Sequence, residues 1–374
     1  MTTKISRREW LIGGTALAGG LLLANSGTAQ SLTVDGYTPT PQNPIRFSSN
    51  ENPYGISKAA RIAMNNSYDV AHLYGGSGRR ELIQLLANNE GISPENILMT
   101  SGSSEILHTL ALITGIEGGS ILAPDPTFDN NFMKYAELME INKIRVPVKS
   151  GDMSIDLDAM RAAMTDDVRI IYIVNPNNPT PTILHGKELR EFCLEMSKRC
   201  YVFVDEAYYE YVTDPNYETM IPLAVENENI IVTRTASKIH GFAGVRVGFG
   251  FGTTAMLKKV KDKLTGSVST VSVHGALASY KDIETQQFVL RKNAESLDII
   301  YKMCEKHGMR YIKSNSNFTY IETGIEAREF GTRLRKYGVQ VGRPFEPFTK
   351  WCRISTSKPE DTRYLVECYE KEFT

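Results

Sequence analysis

From residue 94 onward, short apolar runs alternate with longer amphipathic segments, and this alternation constrains the fold more than any other feature of the chain. Short apolar runs predict buried strands, and apolar residues at helical spacing predict helices. The predicted strands are 96–100, 120–123, 143–148, 168–174, 201–204, 230–233 and 246–251, and the predicted helices are 103–116, 130–139, 156–164 and 187–198. Strands joined through helices form a sheet covered on both faces. We therefore predict an α/β fold with a mostly parallel, mixed sheet and helices on both faces.

The pattern divides the chain into four predicted parts. Residues 1–29 are interpreted as a signal peptide, 30–56 as an extended N-terminal arm with little structure of its own, 57–265 as a large domain and 266–374 as a smaller α+β C-terminal domain. In the large domain, the glycine-rich run 74–78 lies between predicted helices 57–68 and 79–89. It lacks the spacing of a nucleotide-binding loop, so we interpret it as a flexible connection.

The first residues resemble an export signal. Arg7 and Arg8 precede an apolar run over 11–24 that is rich in glycine and alanine, and small residues follow before Gln30. The arginine pair resembles a twin-arginine signal, which predicts a periplasmic or exported protein cleaved near Ala29. An uncleaved membrane anchor is the alternative, although the run is short for a spanning helix.

Composition excludes several classes of partner. A formal net charge of -1 over 374 residues gives no electrostatic footprint for nucleic acid, and no polybasic run suggests a membrane surface. The five cysteines lack the spacing of a zinc site or a disulfide framework. Glu105 and His108 form an isolated ExxH pair, which we interpret as surface and not as a metal site. Small molecules are the expected partners.

Lys238 lies in a tight connection between two predicted buried strands. An amine shielded from water there can attack a carbonyl carbon, which is the chemistry of a Schiff base. Thr235, Ser237 and Arg246 add two hydroxyls and a guanidinium suited to a phosphate dianion. An amine that can capture an aldehyde, next to groups that can bind a phosphate, suggests pyridoxal phosphate as the ligand. The alternative is an ordinary loop lysine.

Other polar residues follow the predicted strands, at the edge where α/β sheets bind ligands. Ser103 and Ser104 open a helix whose N–H groups could hold phosphate, or Ser103 could simply cap that helix. Phe128 could lie on a flat cofactor or belong to the core. Asp205 directly follows a buried strand, where a carboxylate needs a partner such as a protonated ring nitrogen.

Seven motifs, in order along the chain, are similar to those of the fold-type I pyridoxal-phosphate aminotransferases. They are NENPYG at 50–55, SGSSE at 101–105, PTF at 126–128, NPNNPT at 175–180, DEAYYEY at 205–211, TASK…AGVR at 235–246 and CRIST at 352–356. The pattern looks most like the histidinol-phosphate aminotransferase branch. The resemblance covers nearly the whole chain after Arg46.

The resemblance implies a role for each matching residue. Lys238 would form the Schiff base and act as general base, Asp205 would pair with the pyridine nitrogen, and Arg353 would bind the substrate α-carboxylate. Tyr208 and Asn178 would bond the ring hydroxyl, Phe128 would stack on the ring, Ser103, Ser104, Thr235, Ser237 and Arg246 would hold the phosphate, and Tyr54 would reach it from the other subunit. A homodimer follows from that last role.

The implied reaction is transamination between an amino acid or a similar amine and a 2-oxo acid. A decarboxylase or β-lyase on the same fold is the alternative, and a non-catalytic exported binding protein is a third reading. Pro181 stands where the family commonly has glycine, and nothing near Arg343 and Trp351 identifies the substrate side chain. An exported enzyme would also be separated from histidine biosynthesis, which argues against histidinol phosphate as its substrate.

Overall fold

The structure, a computed structural model, describes residues 38–74, 76–128 and 132–374. The predicted signal peptide lies outside these residues. Within them, no helix is both long and apolar enough to cross a membrane.

The described residues form strands and helices that alternate through the first two thirds of the chain. The strands are β1 Ile45–Phe47, β2 Ile97–Thr100, β3 Ser120–Asp125, β4 Lys143–Pro147, β5 Val168–Val174, β6 Tyr201–Asp205, β7 Ile230–Thr235, β8 Gly248–Phe251, β9 Tyr311–Ile312, β10 Phe318–Glu322, β11 Val339–Val341 and β12 Trp351–Ser355. The α-helices are α1 Lys58–Asn66, α2 Ser77–Glu90, α3 Ser103–Glu117, α4 Phe132–Leu138, α5 Leu157–Ala162, α6 Gly186–Met196, α7 Ile221–Ala224, α8 Thr254–Lys261, α9 Thr270–Lys281, α10 Ile283–Lys306, α11 Ala327–Arg335 and α12 Pro359–Phe373.

A seven-stranded sheet in the order β2-β8-β7-β6-β5-β3-β4 forms the centre of the molecule. Strands β7, β6, β5, β3 and β4 run parallel, whereas β8 is antiparallel to both of its neighbours. Successive residues of β5 enter opposite cores, with Ile171 and Ile173 on one face and Ile170 and Tyr172 on the other. Both faces are therefore buried, and the predicted mostly parallel α/β sheet is confirmed.

Three local differences from the predicted elements have physical causes. The last strand of the sheet begins at Gly248 and not at Arg246, because Arg246 has a φ of 65° and cannot be extended. The glycine-rich run is not entirely a flexible connection, since Ser77 and Gly78 form the first turn of α2. Gly78 packs closely on α9, since a Cβ atom there would lie 3.0 Å from the His274 ring.

The C-terminal part carries an antiparallel sheet, β12-β10-β9, and a parallel pair formed by β1 and β11. The predicted arm thus has structure of its own, because Ile45–Phe47 pairs with Val339–Val341. Helix α9 packs on α1 and α2 and contributes Val273 and Ala276 to the core of the large sheet. Helix α9 thus packs against helices of the predicted large domain although it follows the predicted boundary at 265, and that boundary stays a prediction.

Candidate active site

Polar residues collect at the carboxyl ends of β5, β6 and β7, which meet at one edge because these strands are parallel. Asp205 ends β6, Thr235 ends β7, and the turn after β7 carries Lys238. That turn closes tightly, since the Gly241 N–H donates to the Lys238 carbonyl at 3.0 Å. Gly241 has a φ of 75°, and a Cβ atom there would lie 2.3 Å from the Gly55 carbonyl oxygen. Glycine is therefore required at this position.

Asp205 is a buried carboxylate at the base of the site. It accepts a 3.0 Å hydrogen bond from the Thr233 hydroxyl. Burial raises the pKa of Asp205 to about 6, against the opposing effects of the Thr233 hydrogen bond and the Lys238 charge. A cationic group bound beside Asp205 would favour its ionised form.

Tyr208, also buried, lies beside Lys238, whose Nζ atom is 5.1 Å from the centre of the tyrosine ring. Its hydroxyl accepts hydrogen bonds from the Asn178 amide at 3.1 Å and from the Asn50 amide at 3.0 Å. Asn50 had no role in the sequence interpretation, although it begins the NENPYG motif. Its bond to Tyr208 joins distant parts of the chain, so the motif itself was the only signal available.

The five predicted phosphate-binding residues lie together. The Arg246 guanidinium donates to the hydroxyls of Ser104 and Ser237, each at 3.4 Å, and the Thr235 hydroxyl donates to Ser237 at 2.8 Å. Ser103 begins α3, so its N–H group lies at a helix N-terminus. Burial lowers the pKa of Arg246.

Two glycines permit this arrangement. A Cβ atom on Gly102 would lie 2.0 Å from the guanidinium of Arg246, and one on Gly248 would lie 2.1 Å from the Ser103 nitrogen. The arginine and the start of α3 can therefore approach the backbone only because both positions lack a side chain.

These groups line an inner cavity of about 140 Å³. Its lining includes Phe128, Asp205, Lys238 and Arg246. The donor set fits pyridoxal phosphate, because anion-binding groups, an amine, an aromatic ring and a buried carboxylate surround one space.

An outer cavity of about 670 Å³ adjoins the inner one, and Phe128, Tyr208 and Lys238 line both. Arg353 on β12 lies in its wall, where its guanidinium donates to the Asn178 side-chain oxygen at 2.6 Å and to the Ser48 carbonyl. The Nε atom of Arg353 is buried and has no hydrogen-bond partner within the described chain. Burial lowers the pKa of this arginine.

Tyr54 lines neither cavity. Its ring packs edge-on against Phe288 with the centroids 4.9 Å apart. Burial, followed by the charge of Glu360 and of other nearby carboxylates, raises its pKa to about 12. Tyr54 thus packs against the cluster that contains Tyr208 without lining either cavity, and its predicted role in a partner's site stays a prediction.

The two side chains of the ExxH pair, Glu105 and His108, each contact a different neighbouring residue. Glu105 accepts a 2.8 Å hydrogen bond from the Ser101 N–H, and His108 stacks on Tyr135 with the centroids 4.0 Å apart. Among the residues that the structure describes, no three His, Cys, Asp or Glu side chains are grouped so that they could hold a metal ion.

Comparison with known proteins gives a family match along most of the chain. The family model for aminotransferases of class I and II matches residues 42–368. Histidinol-phosphate aminotransferase from Bacillus cytotoxicus is 33% identical over 305 residues, covering 80% of this chain and 81% of the relative. The enzyme of that name from Anoxybacillus flavithermus is 34% identical over 302 residues, covering 79% and 80% respectively.

Solved structures agree with this match. A putative histidinol-phosphate aminotransferase from Erwinia carotovora atroseptica is 28% identical with a TM-score of 0.82, covering 90% of this chain and 97% of that one. The histidinol-phosphate aminotransferase from Sinorhizobium meliloti, solved in complex with pyridoxal-5'-phosphate, is 22% identical with a TM-score of 0.80, covering 92% and 99%. The second likeness concerns the fold alone.

Proposed function

The chain belongs to the class I and II aminotransferases, which are pyridoxal-phosphate-dependent transaminases, and we propose that the cavities around Lys238 are where it transfers an amino group from an amino acid to a 2-oxo acid. When bound, pyridoxal phosphate supplies an aldehyde that an amine can attack and a ring that accepts electron density. The observation that carries the proposal is the buried Arg353 in the wall of the cavity that contains Lys238, with its Nε atom unpaired.

The residues of the inner cavity bind the cofactor, and Arg353 in the outer cavity binds the substrate. Arg246, Thr235, Ser237 and the start of α3 hold the cofactor phosphate, and Asp205 holds a proton at the ring nitrogen. Arg353 orients the substrate by binding its α-carboxylate through a planar guanidinium. The Lys238 amine then removes the proton from the substrate α-carbon as general base.

Replacement of the lysine tests this assignment. Lys238→Ala is expected to abolish turnover and the visible absorbance of the lysine-bound cofactor, whereas the surface control Lys258→Ala leaves both unchanged. Borohydride treatment of the wild-type protein is expected to fix the cofactor on Lys238. A purified protein without an absorbance band that borohydride can fix would overturn the proposal.

A substrate screen separates transamination from other reactions on this fold. Transamination yields keto acid beyond one equivalent per enzyme only when an amino acceptor is supplied. Release of carbon dioxide would indicate a decarboxylase, and keto acid with ammonia and no acceptor requirement would indicate a β-lyase. Either result contradicts the proposed reaction while leaving the cofactor site intact.

The outer cavity favours a substrate with an anionic side chain. Besides Arg353, its wall includes Arg328, Arg335 and Arg343, and none of its described lining residues is acidic. Positive charge lining a cavity attracts anions. Competition between dicarboxylic, neutral and phosphorylated amino compounds tests this proposal, and equal kcat/KM values for all three would contradict it. The comparison includes histidinol phosphate, the substrate in the relatives' names.

We also propose that the enzyme is a homodimer. Ile62, Tyr68, Val70, Leu73 and Tyr74 are large apolar residues that remain exposed within one short segment. Several large apolar side chains left exposed in one segment favour an interaction surface there. Leu73→Glu is expected to yield monomers in sedimentation, and an unchanged dimer would contradict the proposed surface.

The tyrosine that reaches across such a dimer can be identified separately. Tyr54 is the residue implied by the family resemblance, whereas Tyr74 is fully exposed. Tyr54→Phe and Tyr74→Phe should differ in cofactor affinity, and the weaker binder identifies the contributing residue. Equal affinity to wild type in both variants would contradict a tyrosine supplied in trans.

The proposed location is the periplasm, reached through a twin-arginine signal that includes Arg7 and Arg8. That route carries folded proteins, and cofactor binding before transport would stabilise the native dimer. Replacing both arginines by lysine is expected to retain active, cofactor-loaded enzyme in the cytoplasm. Wild-type enzyme found only in the cytoplasm with residues 1–29 intact would contradict export but not the Lys238 chemistry.

A further inference from the structure

Two buried ionisable side chains, Glu210 and His240, face each other beside the site. Glu210 Oε1 lies 3.7 Å from His240 Nε2. Both carboxylate oxygens and this ring nitrogen are buried, and they have no hydrogen-bond partner in the described part of the chain. Unsatisfied buried polar atoms are costly, so three of them within one small volume require an explanation.

The positions of the two residues connect them with the proposed chemistry. Glu210 follows Tyr208 by two residues in a short 3₁₀ turn, Tyr209–Tyr211, and His240 follows Lys238 by two residues. The contact between Glu210 and His240 therefore joins the segment that presents the tyrosine to the segment that presents the lysine.

Helix α9 holds the imidazole ring in place. The Nδ1 atom of His240 lies 2.9 Å from the Ser279 hydroxyl, and the ring packs on Tyr280 with the centroids 3.9 Å apart. Because one ring nitrogen is occupied by Ser279, the other remains directed at Glu210.

The charges around this contact disfavour an ionised Glu210. Arg234 is the buried cation of the region, and it already pairs with Glu206 at 3.0 Å and with Glu90 at 2.6 Å. Its guanidinium also lies 3.4 Å from the centre of the Tyr209 ring. Since two carboxylates already face one guanidinium, a third negative charge would lack a counterion.

The expected protonation states agree with this charge balance. Burial raises the pKa of Glu210 to about 8, against the attraction of Arg234, and the charges of Glu90 and Glu206 raise it further. Burial lowers the pKa of His240 to about 3. Near neutral pH the carboxyl group therefore holds its proton, and the imidazole is neutral.

We propose that Glu210 and His240 share one proton and that this pair fixes the position of Tyr208 relative to Lys238. In the shared state, the 3.7 Å separation shortens to hydrogen-bond distance so that the Glu210 O–H donates to His240 Nε2, and the Nδ1–H donates to the Ser279 hydroxyl. Both residues are positioning residues, because neither lines the inner or the outer cavity. The inference rests on the proposed role of Lys238.

Three variants test the pair. Glu210→Gln keeps an uncharged donor, whereas Glu210→Ala removes it and His240→Phe removes the acceptor while keeping a ring. We expect the last two to lower kcat roughly fivefold, the worth of about one hydrogen bond, with KM unchanged. We also expect them to shift the pH midpoint of the lysine-bound cofactor absorbance, which Glu210→Gln should leave in place.

A loss of stability alone would look different. Val273→Ala truncates a buried residue of α9 outside this contact and serves as the matched control for destabilisation. If His240→Phe and Glu210→Ala change only the melting temperature, as Val273→Ala should, the positioning role is wrong. If Glu210→Ala does not fold, the same comparison of kcat with melting temperature is made with His240→Phe and with the double variant Glu210→Gln/His240→Phe.

A spectroscopic measurement separates this inference from the proposed function. In the cofactor-free protein, ¹⁵N NMR of His240 should show Nδ1 protonated and Nε2 accepting a hydrogen bond, and this pattern should change as pH rises through about 8. An Nε2–H tautomer at neutral pH would overturn the shared proton. Absence of a lysine-bound cofactor band would instead overturn the role of Lys238.

Discussion

The inner and outer cavities are built in different ways. The inner cavity is small, about 140 Å³, and its wall comes from the sheet edge, the loop that carries Phe128 and the start of α3. The outer cavity is about 670 Å³ and combines the segment 48–50, residues of α11, the segment 340–345 and Arg353. Glycines permit close approach at both, Gly102 and Gly248 at the first and Gly342 at the second, but only the second draws most of its side chains from separate segments.

This difference indicates which ligand each cavity specifies. Because the backbone approaches other groups closely at Gly102 and Gly248, the shape of the inner cavity can change little. Such a cavity suits a cofactor, which stays the same from one substrate to another. The outer wall consists largely of side chains, so substitutions there can alter the substrate without disturbing the cofactor. Substitutions in the inner cavity should therefore affect the cofactor, and substitutions in the outer cavity should affect the substrate.

The largest expected effect comes from Asp205 in the inner cavity. Asp205→Asn should lower kcat on the order of 100-fold or more, because it removes a preorganised charge from the reacting centre. The visible band of the lysine-bound cofactor should remain, though shifted. An unchanged kcat would contradict the assigned pairing with the ring nitrogen.

Although Asp205→Asn should lower kcat, it should raise the stability of the cofactor-free protein. The pKa of Asp205 is raised to about 6 in the folded state, so its ionisation costs stability above about pH 4, and the cost is complete above pH 6. Cofactor-free Asp205→Asn should then be more stable than wild type by about 3 kcal/mol at pH 7, with the gap narrowing as pH falls. Urea unfolding at several pH values measures it, with Asp158→Asn as a surface control.

A second prediction concerns the outer cavity. Arg353→Lys should raise KM for the amino acid on the order of 100-fold, because lysine cannot reproduce a planar two-point contact with a carboxylate. Cofactor affinity should stay within about twofold of wild type. Arg310→Lys, at an exposed arginine, is the matched control. A loss of cofactor binding in Arg353→Lys would show that the two cavities are not separable.

A third prediction tests the backbone contact that distinguishes the inner cavity. Gly102→Ala would place a methyl group 2.0 Å from the Arg246 guanidinium, so cofactor affinity should fall roughly tenfold as the arginine is displaced. Gly118 lies at the other end of α3 with a similar φ, 72° against 79°, and has open space around it. Gly118→Ala should therefore cost only stability. Equal losses of affinity in both variants would attribute the effect to backbone strain alone.

The sequence predicted those parts of the molecule that depend on local pattern. Strand β5, Val168–Val174, has the predicted bounds because an uninterrupted apolar run is a strong local signal. Asp205 and Lys238 were placed at strand ends for the same reason. The resemblance supplied Arg353, which local pattern alone would have left as an ordinary strand residue.

The contacts that local pattern missed join residues far apart in the chain. Asn50 bonds to Tyr208, α9 packs on α1, and Glu210 faces His240. Apolar periodicity carries no information about which distant polar atoms meet. The positive φ of Arg246 was missed as well, because arginine gives no local signal for that conformation.

The smallest expected effect comes from Phe128, which belongs to both walls and so tests whether one residue can serve both cavities. Phe128→Leu keeps the apolar character but loses the flat ring, which should weaken cofactor binding by roughly two- to tenfold, since aromatic stacking contributes about 0.5–1.5 kcal/mol beyond buried area. Phe128→Tyr keeps the ring and should bind the cofactor like wild type. Fluorescence titration of the cofactor-free proteins measures both affinities. If Phe128→Leu changes KM and not cofactor affinity, the phenylalanine belongs to the outer cavity, and the ring predicted to lie on the cofactor does not.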